Sequence, residues 1–176
     1  MTMTPDGTAG RRTRVIGLGN PILGDDGVGW RVVEAMRGRL DDAAVDVLCL
    51  SVGGVSLMEQ LVGCDRALLV DAVVTGGTPG EVLSVPLDEL GDPSCGHTAS
   101  THDTTLTTAL SLGRALQAPL PDDIWVVGVE VDPRCLHEFN EELSPEVTAA
   151  VPEAVRRVEE WLVAWSAVLP GVGREL

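Results

Sequence analysis

Two adjacent carboxylates, Asp25 and Asp26, stand where a glycine-rich loop gives way to helical spacing. The stretch reads Val15-Ile16-Gly17-Leu18-Gly19-Asn20-Pro21-Ile22-Leu23-Gly24-Asp25-Asp26-Gly27-Val28-Gly29. An aspartate at such a junction has an ordinary job, capping the helix. One is enough for that, and here there are two, among five glycines. A third carboxylate, Asp71, interrupts the apolar run Ala67-Leu68-Leu69-Val70-Asp71-Ala72-Val73-Val74. A charge there needs a partner, a ligand or a wet cavity, unless it caps the turn that follows. His102 follows a loop rich in Gly and Pro, and its ordinary reading is a surface or capping histidine; His97 and His137 have less context. Two carboxylates and an imidazole form an oxygen and nitrogen donor set that suits a divalent transition metal, nickel and zinc included.

Other chemistries are poorly supplied. The four cysteines, Cys49, Cys64, Cys95 and Cys135, make no Cys-x-x-Cys pair, so zinc-ribbon and thioredoxin motifs are absent. Cys49 and Cys64 sit in apolar surroundings and read as core residues. Cys95 is near His97 in sequence only. There is no Gly-x-Ser-x-Gly elbow and no His-Glu-x-x-His pair. Lysine is missing altogether, which removes a Schiff base and a P-loop lysine. Formal net charge is -15, and such a surface repels phosphate backbones, so nucleic acid is not an expected partner. No apolar run is long enough to cross a bilayer, and the short run after Arg11 and Arg12 is broken too early by glycines and acids for a signal peptide. Cytoplasm is the expected compartment.

The elements that must position these residues alternate. Strands are expected over 14–18, 44–50, 66–74, 81–86 and 124–131. Helices are expected over 27–40, 55–62 and 102–117, with a long C-terminal helix marked by Val147, Val151, Val155, Val158, Leu162 and Trp165 and stopped by Pro170 and Gly171. Residues 87–101 read as irregular. Such alternation predicts an α/β fold, a three-layer αβα sandwich around a mainly parallel twisted sheet of about five strands. One domain is expected over 13–170, between tails at 1–12 and 171–176. Loops at the carboxyl ends of parallel strands converge on one crevice, so Asp26, Asp71 and His102 can meet there.

The glycine loop, Gly17-Leu18-Gly19-Asn20 with Asp25-Asp26-Gly27-Val28-Gly29, resembles the N-terminal signature of the nickel-iron hydrogenase maturation endopeptidases. Further pieces follow in that family's order: Leu69-Val70-Asp71-Ala72, Ser100-Thr101-His102 before an amphipathic helix, Val127-Gly128-Val129-Glu130, and Leu143-Ser144-Pro145-Glu146-Val147. The resemblance implies an αβα sandwich and an endopeptidase that clips the C-terminal extension from a hydrogenase large-subunit precursor after nickel loading. It implies that the substrate's nickel is the recognition element, held by Asp26, Asp71 and His102 as catalytic and metal-binding residues. No permanently bound metal is then expected, and the chain is expected to act as a monomer. The family often has Glu where Asp26 stands. Ser51 stands where some members carry an acid, and Asp103 where Gln or Gly is commoner. The residues leave hydrolysis open between a metal that polarises the carbonyl or activates water and an aspartate acting as general base.

Two alternatives belong to other classes. Val15 to Pro21 also resembles the opening of bacterial peptidyl-tRNA hydrolase, but no histidine precedes His97 and the negative charge opposes tRNA. A non-catalytic nucleotide-binding module would set phosphates on the glycine turn, where Asp25 and Asp26 would repel them.

Overall fold

Val15 and Ile16 face opposite sides of the first strand, and each side has its own core. The computed structural model describes residues 12–38, 45–90, 105–136 and 139–167. Strand β1 (Thr13–Leu18) pairs in parallel with β2 (Val45–Leu50) on one side and β3 (Arg66–Val73) on the other. Strand β5 (Asp123–Glu130) lies parallel to β3, and β4 (Val82–Pro86) closes the edge antiparallel to β5. The sheet order is β2-β1-β3-β5-β4, the mainly parallel five-stranded sheet that the alternation predicts.

Helix α1 (Val28–Met36) and helix α5 (Pro145–Ala167) cover one face, packing Val28, Val32, Val147 and Val158 against Val15, Leu68, Val70 and Val127. Helix α2 (Gly54–Leu61), the short helix α3 (Leu87–Leu90) and helix α4 (Leu106–Ala115) cover the other. There Leu57, Leu61, Leu87, Leu106 and Leu110 meet Ile16, Leu69 and Val126. All eight residues of β3 are buried, as a strand sandwiched between helix layers must be.

The connections create a topological switch point. From β1 the chain passes through α1 on one face to β2, and from β2 through α2 on the opposite face to β3. Strand β1 thus has its two sequence successors on its two sides, with the crossover helices on opposite faces. That is the switch point at which open α/β sheets part their loops and bind ligands.

Three boundaries differ from the sequence expectations. Helix α1 stops at Met36 rather than 40, because Arg37 turns extended (ψ 129°) and Gly38 adopts φ +82°. Helix α4 starts at Leu106 rather than 102: Thr105 is extended, and its side chain accepts the Thr108 N–H. The stretch read as irregular opens with α3. The expected tails, except for Arg12, the stop at Pro170 and Gly171, and residues 91–104 lie outside the described residues, and with them Cys95, His97 and His102; His137 does as well.

Candidate active site at the β1–β3 switch point

The glycines of the first loop hold it down by lacking side chains. A Cβ on Gly29 would lie 2.2 Å from the Val70 carbonyl oxygen and 2.3 Å from that of Leu18. One on Gly17 would lie 2.3 Å from the Gly29 carbonyl oxygen. Helix α1 therefore starts in direct backbone contact with β1 and β3. Gly19, at φ +115°, has a conformation that side chains disfavour, and its Cβ would sit 1.8 Å from the Asp26 carbonyl oxygen.

Neither aspartate of the loop caps α1. Both lie inside a single 3-10 turn, Gly24–Gly27, and Gly27 takes the cap position with no side-chain bond. Asp26 is buried, and its Oδ2 accepts the Asn20 N–H at 2.6 Å, which ties the turn back onto the end of β1. Asp25, equally buried, reaches the other way: its Oδ1 accepts the Ser144 N–H at 2.6 Å, at the entrance of α5. The two neighbours therefore divide the work. Asp25 fastens a distant helix, while Asp26 stays at the crevice. Ser51 joins the same loop through its Oγ, which donates to the Gly19 carbonyl at 2.7 Å.

Asp71 is 0% exposed and lies within β3, level with Gly128 of β5. It does not cap the turn that follows, since its Oδ1 accepts the N–H of the next residue, Ala72, at 2.9 Å. Side chains alternate along a strand. Leu68, Val70 and Ala72 belong to the α1–α5 core, whereas Ala67 and Leu69 belong to the α2–α4 core, so Asp71 is directed to the α2–α4 side. That is the side of the helix which His102 precedes in sequence. The turn Gly24–Gly27 packs against β3, and Gly17 is level with Val70. Asp26 and Asp71 therefore occupy the carboxyl ends of the two strands that flank the switch point. The turn that carries Asp26 thus packs against the strand that carries Asp71, and His102 lies outside the described residues.

Sequence reasoning assigned no role to Glu130, which is 2% exposed at the end of β5. Its carboxylate accepts the N–H groups of Thr75, Gly76 and Gly77 and the Thr75 hydroxyl, at 2.7–3.1 Å. It shapes the turn that follows Asp71, the job a capping Asp71 would have done. The sequence signals are the Gly-Gly pair after β3 and the place of Glu130 in the Val127–Glu130 motif. The acid that answers it comes from another strand, and no local spacing links the two.

Among the described residues no group of three or more His, Cys, Asp or Glu side chains is arranged to hold a metal ion. No disulfide joins Cys49, Cys64 and Cys135. Burial pushes the thiols of Cys49 and Cys64 up from their ordinary value, as befits packing residues rather than nucleophiles. A cleft of about 530 Å³ lined by Asp88, Arg114, Asp123 and Trp125 opens at the amino end of β5, away from the carboxylates.

The family model described as hydrogenase maturation protease matches residues 30–161. This chain belongs to that family. The matched span includes Asp71 and begins just after Asp26. The hydrogenase 2 maturation protease of Escherichia coli K12 is 30% identical over 149 residues, 84% of this chain and 88% of that protein. The hydrogenase expression/formation protein HupD of Thiocapsa roseopersicina is 28% identical over 155 residues, 88% of this chain and 69% of the relative. Among solved structures, the hydrogenase maturating endopeptidase HybD from E. coli superposes with a TM-score of 0.70 at 26% identity, covering 87% of this chain and 93% of that one. The peptidyl-tRNA hydrolase alternative finds no such support. No helix among the described residues is long and apolar enough to cross a membrane.

Proposed function

We propose that this chain is the endopeptidase that removes the C-terminal extension of a [NiFe]-hydrogenase large-subunit precursor once that precursor carries nickel. The observation that carries the reading is the pair of buried aspartates, Asp26 and Asp71, at the two carboxyl strand ends of the switch point in a chain of this family. His102 completes the donor set. Nickel is part of the substrate: two carboxylates and one imidazole grip an ion that arrives in the precursor, and the ion brings the scissile bond with it. Oxygen and nitrogen donors of this kind suit nickel. Hydrolysis then needs a water directed at the carbonyl carbon, with an aspartate to take its proton. A monomer in the cytoplasm, where precursors mature, completes the reading.

The test uses substitutions that separate a ligand from a structural anchor. Asp26→Asn, Asp71→Asn and His102→Ala each abolish processing of a nickel-loaded precursor while circular dichroism remains that of the parent. Asparagine retains the shape of aspartate and an oxygen that can accept the Asn20 or Ala72 N–H, but loses the charge. Asp25→Asn retains partial activity, because its contact is to Ser144 rather than to substrate. Full cleavage by folded Asp26→Asn would return Asp26 to an ordinary structural role.

A further inference from the structure

The chain has one phenylalanine and no tyrosine, and it leaves that phenylalanine in solvent. Phe139 is 87% exposed, whereas a large aromatic ring ordinarily contributes its area to a core. The backbone beneath it is held against the aspartate loop. The Asn140 N–H donates to the Ile22 carbonyl at 3.1 Å, and the Gly24 N–H donates to the Asn140 carbonyl at 2.6 Å. A few residues on, Asp25 holds the Ser144 N–H. Phe139 is thus fastened to the loop that carries Asp26.

A second exposed apolar side chain stands beside it. Ile22 lies between β1 and Asp26, and its carbonyl accepts the Asn140 N–H. Beside Phe139, Glu141 and Glu142 are exposed, and neither carboxylate has an ion-pair partner among the described residues. The Arg31 guanidinium donates to the Glu141 carbonyl oxygen at 2.8 Å and pairs with Glu34, which leaves the Glu141 and Glu142 carboxylates as the uncompensated charge. The rim therefore combines an aromatic anchor, an aliphatic neighbour and a net negative charge. Aromatic side chains at such positions dominate binding energy at protein interfaces, and like-signed rim charges select a partner of the opposite sign.

We infer that Phe139 and Ile22, flanked by Glu141 and Glu142, form the docking surface for the precursor polypeptide, receiving an apolar side chain with a basic residue beside it. This rests on the reading of the chain as the large-subunit endopeptidase. The surface is built on the loop that carries Asp26, so a polypeptide whose nickel is held by Asp26 and Asp71 passes close to it. Phe139 is a specificity-determining residue: it sets how strongly the precursor is held and leaves the bond-breaking groups alone.

The experiment measures processing of one nickel-loaded large-subunit precursor by the parent chain, Phe139→Ala, Phe139→Leu and Leu116→Ala. Leu116 is an exposed apolar residue just past the end of α4, remote from the rim. Phe139→Ala lowers kcat/KM by about 30-fold, the scale of an interface hot spot, with the loss in KM rather than kcat. Phe139→Leu recovers part of it, and Leu116→Ala matches the parent. The double variant Glu141→Gln/Glu142→Gln raises KM at low salt, and added salt erases that difference, because screening removes rim attraction. A Phe139→Ala chain as effective as the parent overturns the docking surface while the parent's cleavage upholds the protease reading. A parent that cleaves no nickel-loaded precursor overturns both.

Discussion

Gly29 has no room for a methyl group: two carbonyl oxygens lie within 2.3 Å of where its Cβ would be. Gly29→Ala, and likewise Gly19→Val, must push α1 or its turn off the sheet, and each is expected to lower stability by about 3 kcal/mol or more. Denaturant melts check this, and a Gly19→Val chain that folds and cleaves normally would move the loop from its assigned place. Glu130 holds a different loop. Glu130→Ala leaves three N–H groups without their acceptor, and because water reaches these exposed residues the expected cost is moderate, about 2 kcal/mol. Thermal melts and faster proteolytic nicking of the turn after β3 report it. These two kinds of residue were unequally legible. Five glycines around two acids announce a tight loop within a few residues of one another. The glutamate that organises the turn at Thr75 stands 55 residues away, and only the pairing of β3 with β5 reveals the connection.

At the scale of elements, hydrophobic pattern was enough for the strands, because buried parallel strands are continuous apolar runs and their ends are marked by glycine, proline or charge. Helix ends were less legible. Gly38 is the left-handed residue that stops α1, yet apolar spacing continues past it to Leu40. The start of α4 is decided by a side-chain cap rather than by periodicity. Thr105 accepts the Thr108 N–H at 3.2 Å, while neighbouring threonines offer similar chemistry. Thr105→Ala is expected to lower stability by about 1 kcal/mol, and Thr105→Ser to retain most of it, as read from urea midpoints. The 3-10 turn that carries Asp25 and Asp26 was invisible to pattern. Four residues hold no period, and an aspartate before a helix reads as a cap until its hydrogen bonds are seen.

The whole molecule sets the strands that lead to the two aspartates side by side through topology. Their separation in sequence says nothing of proximity, but a sheet ordered β2-β1-β3-β5-β4 puts the ends of β1 and β3 side by side, with crossover helices on opposite faces. One helix layer backs each side of the crevice, and Asp71 is directed to the layer that α4 belongs to. Formal net charge is -15, which opposes binding of polyanions, and three of the buried carboxylates, Asp25, Asp26 and Glu130, anchor loops. The central claim is that the crevice reads nickel in the precursor before the bond is cut. Intact-mass measurement of one large-subunit precursor, incubated with this chain once nickel-loaded and once nickel-free, tests it most directly. The expected result is loss of the C-terminal extension from the nickel-loaded precursor alone; equal cleavage of the nickel-free precursor would contradict the account.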